Sequence, residues 1–157
     1  MTNLIDWNNE LSIGIKEIDA QHKTLVDLLN KMHEAIREKH ASEVVLDILD
    51  ELILYTQTHF ATEEALMGIL GYEQSEAHKH NHQKLVDQVL DFKNRVVNEH
   101  GSVNFTLMHF LKQWLIHHIM EDDKAFGEFC LDVTRRLPHR RQGRGRLRLF
   151  AGQSQAS

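Results

Sequence analysis

Residues 19–36 read DAQHKTLVDLLNKMHEAI, and their apolar positions decide the fold. Leu25, Leu28, Leu29, Met32 and Ile36 recur at spacings of three and four, the period of one α-helical face. Asp19 stands ahead of them as an N-cap, where a short carboxylate accepts from free backbone N–H groups. The pattern then returns three times. Ser42 precedes Val45, Leu46, Leu49, Leu52, Ile53 and Phe60, a second helix expected to end near Gly68 or Gly71. Ser75 opens a third helix through Leu85, Val86, Val89, Phe92 and Val96, closing near His100-Gly101. Asn104 starts a fourth with Leu107, Leu111, Trp114, Leu115, Phe126 and Phe129, and Pro138 forbids much continuation. Residues 1–18 lack a helical period and are expected to lie extended along the others. Short connections make neighbours antiparallel, so the fold class is all-α, an up-and-down antiparallel four-helix bundle.

Composition agrees with one domain. The chain has 157 residues, 41% apolar and 26% charged, ordinary globular values that exclude wholesale disorder. No apolar run approaches a membrane span and no signal-peptide pattern opens the sequence, so membrane insertion is not expected. A single cysteine, Cys130, excludes an internal disulfide or thiolate cluster and points to the cytoplasm. Charge divides the chain: seven of the 18 Lys/Arg lie in residues 134–157 with no acid, while the other 11 share residues 1–133 with all 23 Asp/Glu. The expected organisation is a helical domain over 1–133 and a basic, flexible tail over 134–157. Its composition favours a solvated segment; a weak contact with an anionic partner is the alternative, and a nucleic-acid partner is not expected.

Histidine is the abnormal entry in the composition, at 12 residues. Positions four apart on a helix lie about 40° apart on one face, close enough to converge on one centre. His59 and Glu63 have this spacing on the second helix, and His78 and His82 on the third. His22 shares the face of Leu25 and Leu29. With Leu107 as zero, His118 falls near 20° and the apolar centre near 30° on the fourth helix, at about 100° per residue. Each helix thus sends an imidazole or carboxylate into a common core. An unpaired polar group there costs about 1–3 kcal/mol. For any single histidine, a surface or hydrogen-bonded role is the better explanation. The set is better explained by a metal, and imidazole with carboxylate suits iron, zinc or copper.

These residues carry a resemblance. Over about residues 5 to 130 the chain resembles the hemerythrin family, in particular its bacterial single-domain members. The matching stretches are Trp7-Asn8 with LSIGIKEIDAQH (11–22), HFATEEALM (59–67), Gly71-Tyr72 followed by His78 and His82, and WLIHHIMEDDKAF (114–126). The resemblance implies a non-haem di-iron centre: His78, His82 and His118 on one iron, His22 and His59 on the other with one open position. Glu63 and Asp123 would bridge the pair, with an oxo or hydroxo group as third bridge. Glu73 stands where the family usually has Pro, and Asn81 where Glu is common; neither is a ligand. The implied function is reversible dioxygen binding for storage, transport or delivery, in a monomer that is not an enzyme. Dioxygen binding of the family's kind leaves the formal charge of the core unchanged, which favours release. Trp114, Leu115 and Ile119, with Leu29 or Leu66, are the expected apolar lining.

The fourth helix needs a special feature. The apolar face selects His118 over His117, near 280°, yet a straight helix would turn Asp122 inward, near 60°, and Asp123 away, near 160°, at about 100° per residue. The family pattern places Asp five after the histidine, at Asp123. A π-type turn between them would rotate Asp123 inward. Other readings are an oxygen or nitric oxide sensor, or a di-iron oxidase or peroxide-detoxifying enzyme. The ferritin-like oxidase class uses Glu-x-x-His pairs, and this chain has none. His40, His80, His100, His109, His117 and His139 read as polar-face, loop or tail residues, and His33 as a hydrogen-bonded boundary residue. Cys130 reads as a small core or boundary residue.

Overall fold

In the computed structural model, which describes residues 3–98 and 105–137, helix α1 spans Lys16–Arg37, α2 Ser42–Leu70 and α3 Ser75–Asn98. Helix α4 covers Phe105–His117 and α5 covers Lys124–Arg136; a π turn, His118–Asp123, joins them into the fourth rod. No strand occurs among the described residues. The starts at Ser42 and Ser75 and the stop at Gly71 agree with the sequence reading. Gly71 takes the left-handed conformation, φ 67°, and returns its N–H to the Met67 carbonyl. The close of α3 near His100-Gly101, the Asn104 start, Pro138 and almost all of the basic tail lie outside the described residues. Helix α5 carries the first three tail residues, 134–136.

Contacts between helices run in opposite order along each pair, which makes every neighbour antiparallel. Lys31 meets Glu51 at 3.5 Å while Gln21 meets His59 at 2.7 Å. Lys93 pairs with Asp50 while His82 meets Glu64. His33 packs edge-on against Phe105, and His22 lies beside Asp123. The core is one cluster drawing on all four rods, from Ile18, Leu25 and Met32 through Leu49, Val89 and Leu111 to Ile119. No helix among the described residues is long and apolar enough to cross a membrane.

The leading segment is tied down rather than merely extended. Ile5, Leu11 and Ile13 are buried, and a short 3-10 turn forms at Asn9–Leu11. Asn30 holds the Ile5 backbone through both its N–H and its carbonyl, each at 2.9 Å. Asp19 is not an N-cap. Helix α1 starts three residues earlier, behind Ile15, and Asp19 sits in its first turn. Its carboxylate instead accepts from the Ser12 hydroxyl at 2.6 Å and the Ile13 N–H at 2.8 Å. The donors it satisfies belong to the leading segment, a long-range demand that helical spacing does not express.

Two glycines expose how tightly this segment is clamped. A Cβ on Gly127 of α5 would collide with the Ile13 carbonyl oxygen, whereas one on Gly68 of α2 would meet nothing within 4 Å. Gly127→Ala should therefore destabilise the chain by about 2 kcal/mol or more, because backbone is the obstacle. Gly68→Ala should stabilise it by roughly 0.5–1 kcal/mol through helix propensity. Opposite shifts of the denaturation midpoint check the pair; equal shifts would contradict the clamp.

Candidate metal centre

Seven polar side chains sit in the core at 4% exposure or less: His22, His59, Glu63, His78, His82, His118 and Asp123. They come from every rod: His22 from α1, His59 and Glu63 from α2, His78 and His82 from α3, His118 and Asp123 from the π turn. The structure brings together all seven residues singled out by the sequence. His117, next to His118, faces solvent.

The π turn between His118 and Asp123 is present, with no unbroken α-helical ladder across it. Its extra residue rotates Asp123 inward, with Oδ1 at 3.0 Å from His118 Nε2. Asp122 then falls four residues after His118 and accepts from the other ring nitrogen, Nδ1, at 3.3 Å.

The seven divide into two groups that share both carboxylates: Glu63, His78, His82, His118 and Asp123 in one, His22, His59, Glu63 and Asp123 in the other. Glu63 sends Oε1 toward His59 at 2.8 Å and His22 at 3.5 Å. It sends Oε2 toward His78 at 3.2 Å and His82 at 3.4 Å. Asp123 sends Oδ2 to His22 at 2.7 Å and Oδ1 to His78 at 3.0 Å. Each carboxylate therefore straddles the two groups.

These close approaches are not hydrogen bonds. Eight of the atoms, including both nitrogens of His22, both oxygens of Glu63 and both of Asp123, are buried without a hydrogen-bond partner. Of the inward nitrogens, His82 Nε2 and His118 Nε2 lie 3.1 Å apart and share one hydrogen bond. Donors about 2.1 Å from a metal lie about 3.0 Å apart when adjacent in an octahedron and about 4.2 Å when opposite. The contacts above, and the 4.0 Å from His118 Nε2 to Glu63 Oε2, fall within the spread that donors sharing one metal would show. Orphaned donors at these spacings, of imidazole and carboxylate type, suit iron or zinc.

Outer partners fix the imidazole tautomers. His59 Nδ1 donates to Gln21 Oε1 at 2.7 Å, and His82 Nδ1 donates to Glu64 Oε1 at 3.2 Å. With Asp122 on His118, three rings have Nδ1 engaged outward and Nε2 turned toward the centre, where it would lie free to ligate once any proton on it is displaced. Phe60 stacks on His82 with centroids 3.7 Å apart, and Trp114 stacks on His118 at 4.6 Å. Gln21 and Glu64 were missed in the sequence. Each is the immediate neighbour of a candidate ligand, a weak signal; Asp122 had a stronger one in its spacing from His118. Of the other histidines, His40, His80 and His109 are exposed. His33 is half-buried on the Phe105 edge, and His100 and His139 lie outside the described residues.

Without metal the groups ionise one another. Burial pushes the His118 imidazole down, but the close Asp123 charge and the hydrogen bond to Asp122 overcome it and hold His118 at about 10. His78 is held at about 9 by Asp123 and Glu63, again against burial. His22 is raised by the same two carboxylates, whereas burial and the neighbouring imidazoles lower His82. Burial pushes the Glu63 and Asp123 carboxyls up, yet the surrounding imidazoles win and hold both well below the usual carboxylate range.

The chain matches the family model for the hemerythrin HHE cation binding domain over residues 13–130. It is 37% identical to a bacteriohemerythrin of Pseudomonas aeruginosa over 127 residues, 80% of each chain. It is 35% identical to the bacteriohemerythrin of Methylococcus capsulatus, over 83% of this chain and 98% of that one. A solved structure of wild-type hemerythrin superposes with a TM-score of 0.75 at 33% identity, covering 80% of this chain and 96% of its own.

Metal must displace the protons on raised histidines. Loading the metal-free chain with Zn(II) or Fe(II) at pH 7 should release about two or more protons per chain, those of His78 and His118 with a share from the raised His22. Affinity should rise with pH up to about 9–10, where these rings have lost their protons, and flatten above it. Loading in weak buffer with a pH indicator measures this; loading without proton release would contradict the ionisation pattern.

Proposed function

The chain belongs to the hemerythrin family, and on that premise we propose that it binds dioxygen reversibly at a non-haem di-iron centre, as a store, carrier or donor of oxygen rather than as a catalyst. The observation that carries this reading is the unequal division of the site. His78, His82 and His118 with two shared carboxylates give one half five protein donors; His22 and His59 with the same carboxylates give the other four. One position beside His22 and His59 is thereby left for a ligand. Two iron ions held there would supply the two electrons that reversible dioxygen binding requires.

The surroundings of the site suit a small apolar ligand. A partly open cavity of about 30 Å³ reaches into the bundle, lined by Leu25, Leu29, Thr56, Leu85, Trp114 and Leu115 among others. Leu25 and Leu85 follow His22 and His82 by three residues, and Thr56 and Leu115 precede His59 and His118 by three. On all four rods the cavity is therefore one turn from the candidate ligands. Its volume suffices for a diatomic molecule. Only the Thr56 hydroxyl and the Trp114 indole offer polar side-chain groups there, and a trapped water wants two to four partners. Trp114, Leu115 and Leu29 belong to the lining named from the sequence. Ile119 is buried in the core and Leu66 packs against it, but neither lines this cavity.

The residues act in three ways. Glu63 and Asp123 hold the two halves together and carry the negative charge that two cations need. Gln21, Glu64 and Asp122 aim the imidazoles. The apolar wall keeps water, and with it protons, away from the open side.

Metal content and the optical spectrum of the anaerobically reduced chain, before and after air and again after its removal, test the reading. Two irons per chain and a charge-transfer band that comes with air and fades on deoxygenation are expected. Irreversible decay to a ferric form would favour catalysis. Leu25→Asn, which puts an amide into the cavity beside His22, should shorten the life of the oxygenated form by about tenfold by admitting water. An unchanged lifetime would remove the cavity from the argument.

A further inference from the structure

The two halves of the site differ in what stands behind the imidazoles as well as in their number. In the three-histidine half, His82 donates its outer N–H to the Glu64 carboxylate and His118 donates to that of Asp122. Both carboxylates are about one-third exposed, at 29% and 31%, so water solvates their charge. In the two-histidine half, His59 donates to the neutral amide of Gln21, and His22 Nδ1 is buried with no partner. An imidazole whose outer N–H rests on a carboxylate gains imidazolate character, and its inner nitrogen becomes a better donor to a cation. An amide does this weakly. Glu63 and Asp123 serve both halves, so they do not create the difference.

We propose that Glu64 and Asp122 are positioning residues that make the three-histidine half fill with a divalent metal ahead of the two-histidine half. The proposal rests on the reading that the seven residues hold two metals. The π turn is what makes it possible on the fourth rod. It lets consecutive aspartates serve opposite ends of one ring: Asp123 Oδ1 stands 3.0 Å from His118 Nε2 while Asp122 Oδ2 stands 3.3 Å from Nδ1. In an unbroken helix Asp122 would take the inward place and leave Nδ1 without its carboxylate. Glu64 stands in the same relation to Glu63: the first carboxylate enters the core and its neighbour reaches a ring on the adjacent helix. The half with the open position then loads last and releases its metal first.

Titration of the metal-free, full-length chain with Co(II), followed by its visible spectrum, reads this order. The native chain should bind in two phases, the first at least about tenfold tighter, with the spectrum of the higher coordination number appearing first. The double variant Glu64→Gln, Asp122→Asn should weaken the first phase by roughly 10–100-fold and leave the second in place, so that the phases merge. Gln21→Glu should do the reverse, tightening only the second phase by a similar factor, a gain that loosened packing does not produce. The proposal is overturned if the double variant keeps the native separation, if both phases weaken equally, or if Gln21→Glu leaves the second phase unmoved. A native chain that takes up a single Co(II) would instead overturn the two-metal reading beneath it.

Discussion

Two fully buried carboxylates, Glu63 and Asp123, set the terms for the rest of this molecule. An ionised carboxylate in an apolar core is costly by several kcal/mol unless opposite charge or donors meet it there. Glu63 on α2 cannot find them on its own helix beyond His59. The remaining partners must come from α1, α3 and the fourth rod, and they do, as His22, His78, His82 and His118. A slip of one helix by a turn would strand at least one charge. Polar satisfaction therefore fixes the relative register of four rods that apolar packing alone would leave more tolerant.

The π turn follows from the same constraint. On the fourth rod the apolar face and the site make conflicting demands, because His118 and a carboxylate five residues later cannot share one face of a regular α-helix. An extra residue in the turn resolves the conflict by disturbing the backbone hydrogen-bond ladder locally. The disturbance sits where orphaned core charge would otherwise be larger, so the carboxylate's demand outweighs the ladder's. Trp114 and Phe60, stacked on His118 and His82, brace the rings against rotation once the ladder is loosened.

Local periodicity made the bundle legible, since three of the four rods begin or end within the described residues where polar residues give way to the three-and-four pattern. Spacing also placed His59 with Glu63 and His78 with His82 on common faces. It failed at Asp19, whose partners Ser12 and Ile13 lie in a segment without helical period, so nothing in the pattern indicated that a carboxylate would be claimed from outside its own helix. It was ambiguous between Asp122 and Asp123 because helical arithmetic assumes a regular helix; a resemblance settled what geometry alone left open. The outer partners Gln21 and Glu64 were not legible. A residue beside a ligand faces about 100° away from it, and which neighbouring helix fills that direction is a tertiary fact.

The residues that would hold a cation also neutralise one another. Imidazoles that would hold metal instead hold protons, with His78 and His118 kept cationic beside Glu63 and Asp123. The charges balance, but the geometry does not: eight buried atoms lack an aligned hydrogen-bond partner. A protonated site thus neutralises charge without saturating direction, whereas a metal does both. A cation bound here would meet donors from all four rods at once and would displace the protons of His78 and His118.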